Sequence, residues 1–241
     1  MAEIKLMEIS MTKVLISITT AFNPDWRKAI HDVKDLEIKE IALFLTALKP
    51  DERNECFAAL REIPDLKIPF CHARSDMKKE EYQYMIDNFG TELFNTHTVV
   101  EYPRDPDMSL FMDKMLLENT LAFVDIDEAK NFKGLCLDLA HLDDGKKRNP
   151  DHSAFVEKCV EQYPVLANHC SAIKDEASEF DGVIRYDFHI FTDLTDFDYI
   201  SKYSNNHFGR YLALELINPI SEQLEAKPYV EKLLADKGIL D

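Results

Sequence analysis

A short apolar run rich in β-formers recurs along this chain, each time followed by a polar stretch with helical spacing. The runs cover residues 14–20 (VLISITT), 38–46 (IKEIALFLT), 67–72 (KIPFCH), 92–98 (ELFNTHT), 121–125 (LAFVD), 134–139 (GLCLDL), 165–170 (VLANHC) and 211–216 (YLALEL). Between them, amphipathic helices are expected over 24–36, 50–63, 78–89, 107–117, 127–132, 153–163 and 229–237, several with apolar residues at i, i+3 and i+4. Asn23-Pro24 opens the first, and Asp51 and Glu52 sit in the first turn of the second, where the helix dipole favours acids. Strands alternating with helices imply a parallel sheet, and a run such as IALFLT, apolar throughout, fits a strand covered on both faces.

Eight such units can close on themselves, so the expected fold class is α/β, a single (β/α)8 TIM barrel spanning residues 12–241 behind an N-terminal arm or tag-like extension, residues 1–11. An open doubly wound sheet would bring a Gly-rich phosphate turn, whereas the chain has 6 glycines and no GxGxxG. At 241 residues with 46% hydrophobic content, one such domain can bury a substantial core. The longest interruption falls between the last two runs, residues 171–210.

The formal charge of −17 disfavours unspecific binding to nucleic acid or anionic membranes. No run approaches the ~20 apolar residues of a membrane span, and the start, MAEIKLMEIS, lacks a secretory h-region, so a cytoplasmic location is expected. Cys56, Cys71, Cys136, Cys159 and Cys170 show no CxxC spacing and read as reduced core thiols.

In a barrel, polar residues at the carboxyl ends of strands face the active-site mouth. The runs end in or beside His72, His97, Asp125, Asp138 with His141 just beyond, His169 and Glu215. Carboxylates and imidazoles converging there desolvate and repel one another, a conflict that a divalent cation resolves.

These residues resemble the xylose isomerase-like TIM barrels, which include sugar and sugar-phosphate isomerases and epimerases and metal-dependent abasic-site endonucleases. The likeness rests on the acid of the fifth run, the D-x-x-H of Asp138 and His141, His169 in NHCSAIKDE and Glu215 in YLALELINPISEQL. It implies Asp125, Asp138, His169 and Glu215 as ligands of one Mn, Mg, Zn or Co ion, with Asp125 standing where that family usually has glutamate. It also implies proton transfer through an enediolate of a small sugar or sugar phosphate, with Glu215 as base and Asp125 as the weaker partner.

The endonuclease branch implies a larger zinc cluster, to which His72, His97, His141, Asp187 and His189 would add; Arg185 beside the D-x-H could hold a substrate hydroxyl or phosphate. Few basic clusters accompany these residues. GKKRN at 145–149 is one candidate and reads rather as a solvated helix-start loop, so nucleic acid is not the expected partner. A third reading is an inactive barrel kept for binding. The family resemblance also implies a homo-oligomer.

Overall fold

A computed structural model describes residues 11–21, 25–180 and 182–241. The expected arm lies almost wholly outside the described residues, as does the Asn23-Pro24 start of the first helix. The first barrel strand is interrupted at Ile16 into β1 (Lys13–Leu15) and β2 (Ser17–Thr19). Then follow α1 (Trp26–Asp35), β3 (Glu40–Phe44), α2 (Pro50–Arg61), β4 (Lys67–His72), α3 (Lys79–Phe89) and β5 (Leu93–Thr96). The second half continues with β6 (Met115–Glu118), α4 (Ile126–Ala129), β7 (Gly134–Asp138), α5 (Leu139–Arg148), α6 (Pro150–Gln162) and β8 (Val165–Cys170). A hairpin of β9 (Ala172–Phe180) and β10 (Val183–Phe188) precedes β11 (Tyr211–Leu214) and α7 (Ile220–Ala235).

The barrel strands pair in parallel in the order β1-β11-β8-β7-β6-β5-β4-β3-β2, so the ring closes through the one strand that β1 and β2 share. At that break, the Ser17 N–H donates to Gln223 Oε1 at 2.9 Å and Gln223 Nε2 donates to the Ser17 carbonyl at 3.1 Å. A side chain of α7 thus satisfies backbone groups that would otherwise be orphaned in the core. The helix carrying it starts at Ile220 and runs through Pro228, well before the expected residue 229.

Alternation along the strands sorts the core into two shells. Leu15, Ala42, Phe44, Phe70, Leu116, Cys136, Ala167, Tyr211 and Ala213 fill the barrel interior, while their neighbours, such as Ile68, Leu117, Leu137 and Leu212, pack outward against the helices. All five cysteines are buried free thiols, and burial pushes Cys136 up to about 12.

Two expected elements are corrected. Residues 107–117 are not one helix: a 3-10 turn at Pro106–Phe111 gives way to strand β6. Met, Leu and Glu are good helix formers, but Met115, Leu116 and Leu117 are all fully buried, with Leu116 facing the interior and its neighbours the helical shell. Two-sided burial overrides the local preference. Residues 121–125 are accordingly no strand but the loop leading into α4. GKKRN also changes place, since Lys146, Lys147 and Arg148 form the last turn of α5, where cations suit the dipole.

Gly209 lies where the chain crosses β8 before entering β11; its N–H donates to Asn168 Oδ1 at 2.7 Å and its carbonyl accepts from Thr12 at 2.9 Å. A Cβ at this position would fall 2.1 Å from the Leu166 carbonyl carbon and 2.3 Å from the Ala167 nitrogen. Backbone on both sides leaves nothing flexible to yield. Gly209→Ala should therefore cost on the order of 3 kcal/mol, seen as a melting temperature lower by roughly 6–12 °C for a domain of this size; an unchanged transition would contradict the packing described.

Candidate metal centre

The two-residue strand period that fills the interior also builds the site. Two residues after the inward-facing Phe70, Leu116, Cys136, Ala167 and Ala213 come His72, Glu118, Asp138, His169 and Glu215. Each therefore points up the barrel axis from the layer above the core. Register sets Asp138 beside His169, Glu118 beside Cys136 and His72 beside Asn95.

Glu118 is the centre of this group and the residue the sequence pattern missed. It is 1% exposed. Its Oε2 lies 3.0 Å from His72 Nε2 and 3.7 Å from His97 Nε2, while its Oε1 lies 3.5 Å from His169 Nδ1 and 3.9 Å from His141 Nδ1. Asn95 Nδ2 donates to Oε2 at 2.6 Å and fixes the carboxylate plane. The adjacent Asn119 clamps the neighbouring strand, accepting from the Asp138 N–H at 2.6 Å and donating to its carbonyl at 3.0 Å.

Asp125, expected as a ligand and catalytic acid, is not part of this group. It is exposed and caps α4 by accepting from the Asp127 N–H at 2.9 Å. Glu118, not Asp125, is the acid that ends the fifth barrel strand. The signal available in the sequence was the buried-strand reading of MLLE, masked by its helical propensity.

The other expected residues converge. Asp138 caps α5, its Oδ1 accepting from the His141 N–H at 2.8 Å, with Oδ2 3.4 Å from His141 Nδ1. His141 thus belongs to the first turn of the helix, not to a loop. His169 Nδ1 lies 3.4 Å from Glu215 Oε2, and His189 Nδ1 contacts the Glu215 carbonyl at 3.1 Å. Asp187 is held by both nitrogens of Arg185, at 2.9 and 2.5 Å, with His141 Nε2 3.6 Å from Oδ2.

Four sets of donor atoms lie close enough to share an ion: His72, His97 and Glu118; Glu118, Asp138 and His141; Asp138, His169 and Glu215; and Glu118, Cys136 and His169. Among the described residues, the Asp187–His189 pair enters no such set.

Whether these residues suit a metal is decided by their unmet valences. His72 Nε2, His97 Nδ1, Asp138 Oδ2, His141 Nδ1 and both ring nitrogens of His169 are buried without a hydrogen bond. Several sit at ion-pair distance from a carboxylate yet lack hydrogen-bonding direction, as His72 Nε2 does beside Glu118. Ligand atoms about 2.0–2.2 Å from a tetrahedral ion stand ~3.3–3.6 Å apart, a range that the histidine–carboxylate distances here, from 3.0 to 3.9 Å, bracket. His72 Nδ1 contacts the Ala73 carbonyl at 3.1 Å, which leaves Nε2 as the coordinating nitrogen. The donor set fits a divalent cation, borderline in softness, such as Zn, Mn or Co.

Charge in the cluster is strongly coupled. Burial alone would raise the Glu118 carboxyl, but His169, His97 and His72 outweigh it and hold it well below the usual carboxylate range. Burial raises Asp138. Burial disfavours the imidazolium forms, yet Cys136 and Glu118 raise His169, Asp138 and Asp187 raise His141, and Glu118 with Glu101 raises His97. His72 moves down, chiefly through burial.

A raised histidine contributes stability below its unfolded pKa of about 6.5 and loses it as pH rises through the folded value. Three histidines shift that way and His72 opposes them, while Glu118 is held well below the usual carboxylate range. Chelator-treated protein should therefore melt at progressively lower temperature from pH 6 to pH 8, and added zinc should restore more stability at the higher pH. A flat profile would contradict the described coupling. Asp125→Asn should leave metal affinity unchanged, whereas Glu118→Gln should weaken it by roughly 10- to 100-fold or more, both read by equilibrium dialysis.

No protein-family profile matches the chain, and no curated protein matches it in sequence. Solved structures do match in fold. A xylose isomerase domain protein from Alicyclobacillus acidocaldarius subsp. acidocaldarius aligns over 93% of this chain and 98% of its own, with a TM-score of 0.51 at 11% identity. The probable 3-DHS dehydratase AsbF from Bacillus anthracis aligns over 92% and 98% (TM-score 0.47, 12% identity), and the E. coli 3-keto-D-glucoside 4-epimerase YcjR over 93% and 99% (TM-score 0.44, 10% identity). The fold is a TIM barrel, similar to that of the xylose isomerase domain protein. Among the described residues, no helix is long and apolar enough to cross a membrane.

Proposed function

We propose that this barrel is a divalent-metal-dependent enzyme with more than one ion at its mouth, acting on a phosphate ester of a sugar. The observation that carries the reading is the placement of Glu118: one carboxylate oxygen faces His72 and His97, the other faces His141 and His169. A carboxylate with histidines on both edges is the arrangement of a bridging ligand, and a one-ion site would leave the His72–His97 side without purpose. Divalent ions held by His72, His97 and Glu118 and by Asp138, His169 and Glu215 would supply Lewis acidity and lower the pKa of water for phosphoryl chemistry.

The protein's own groups supply the rest. Asn95 fixes the Glu118 carboxylate and Asn119 fixes the backbone of Asp138, so that little reorganisation accompanies substrate binding. Glu215, 8% exposed, is the carboxylate nearest solvent on the His169 side and serves as proton acceptor. The net charge of −17 supports a small substrate over a long polyanion.

A second reading, a sugar or sugar-phosphate isomerase or epimerase, is favoured by Glu118 and Glu215 lying 3.5 and 3.4 Å from His169 Nδ1. There, Glu118, Asp138, His169 and Glu215 would hold a single ion, and the two glutamates would remove and return a proton beside a polarised carbonyl.

Elemental analysis of the purified chain, combined with assays on sugar phosphate esters, an abasic-site oligonucleotide and free ketoses, separates these readings. The proposal expects about two ions per chain and phosphate release that is abolished by chelation and by Glu215→Gln. A single ion with proton exchange at carbon would establish the isomerase, oligonucleotide cleavage would move the substrate to nucleic acid, and absence of bound metal would overturn both enzymatic readings.

A further inference from the structure

Beside the His72–His97 side of the centre lies a cleft of about 150 Å³ lined by Thr46, Arg74, Ser75, Thr96, His97 and Tyr102. Its walls include hydroxyls, the imidazoles of His72 and His97 and one guanidinium, and the Thr46 hydroxyl is buried without a hydrogen bond. Arg74 is held from behind: Nη1 donates to the Thr46 carbonyl at 2.6 Å and Nε donates to Asp76 Oδ1 at 3.1 Å. Its Nη2 makes no bond to the protein among those described, which leaves two donors unspent on a residue that lines the cleft.

The same Asp76 oxygen accepts from Nη1 of Arg53 at 3.0 Å. Arg53 is fully buried, an unusual state for a guanidinium, and it is satisfied by both oxygens of Glu81, at 2.6 and 3.0 Å, and by the Leu48 carbonyl at 3.0 Å. It stands behind the loop that follows β4, where its bonds to Asp76, Glu81 and Leu48 tie α2 and α3 to that loop. An arrangement that buries one arginine to set the carboxylate that orients another is hard to explain by packing alone. It is the arrangement expected when the outer arginine must meet a planar or tetrahedral anion in a fixed pose.

We infer that this cleft is an anion subsite, in which Arg74, with the Thr46 and Ser75 hydroxyls, binds a phosphate oxygen that the metal ligands do not reach, and that Arg53 and Asp76 are its positioning residues. The assignment rests on the phosphate-ester reading above and narrows it to substrates whose phosphate lies on the His72–His97 side of the centre.

The test is isothermal titration of inorganic phosphate into the protein as purified and after chelator treatment, with metal content measured in parallel. A charge-assisted hydrogen bond of about 1.5–3 kcal/mol corresponds to roughly ten- to hundredfold in affinity. Arg74→Met should weaken phosphate binding by that factor with metal content unchanged, Arg74→Lys should recover part of it, and Asp76→Asn should weaken it by a smaller factor. Wild-type protein that binds no phosphate, or an Arg74→Met variant that binds it as tightly as wild type, would overturn the assignment. Because chelated wild type and chelated Arg74→Met can be compared without metal, a protein found to hold no metal would defeat the phosphate-ester reading while still giving an answer on Arg74.

Discussion

The burial of Glu118 is the constraint around which this molecule is organised. A carboxylate removed from water costs several kcal/mol unless its charge is met, and here the fold surrounds it with His72, His97, His141 and His169 together with the amide of Asn95. Those histidines have competing needs, since each is buried or half-buried and several ring nitrogens lack a hydrogen-bond partner. The cluster is thus a set of mutually dependent protonation states, and a bound cation would replace protons on the histidines with a charge that every ligand can share.

The barrel makes this concentration of charge affordable. Its interior below the cluster is filled with Phe44, Phe70, Leu116 and Cys136, which exclude water and hold the strands at fixed spacing. The polar layer sits one step above, and its outer edge is anchored by ion pairs: Arg185 on Asp187, which also faces His141, Arg53 on Glu81 and Asp76, and Arg104 on Glu128, which also accepts from the Val99 N–H at 2.8 Å. Loops from several strands are thereby tied into one rim. Geometry at the mouth is held by neighbours that need no metal to keep their places.

Much of this was legible in the sequence, for a physical reason. Runs such as IALFLT and KIPFCH are apolar on both faces, so their strand character and the parallel barrel follow from burial alone. The polar ends of those strands, His72, Asp138, His169 and Glu215, were readable because a charged residue closing an apolar run needs an explanation. Glu118 escaped because MLLE consists of good helix formers following a helical-looking stretch, and only its position between two strands makes it β. LAFVD, with its valine and phenylalanine, took its place in the count, which carried the metal-ligand assignment to the exposed Asp125. The Arg53–Asp76–Arg74 relay was not legible at all, since it depends on tertiary contacts between residues whose spacing has no period.

The account stands on two ions sharing one carboxylate. Anomalous scattering from crystals of the metal-loaded protein, collected at the absorption edge of the bound element, reports their number and place directly. Two peaks about 3.5–4 Å apart, one among His72, His97 and Glu118 and the other on the Asp138–His169–Glu215 side, are the predicted result. A single peak away from the His72–His97 side, or none within reach of Glu118, would contradict it.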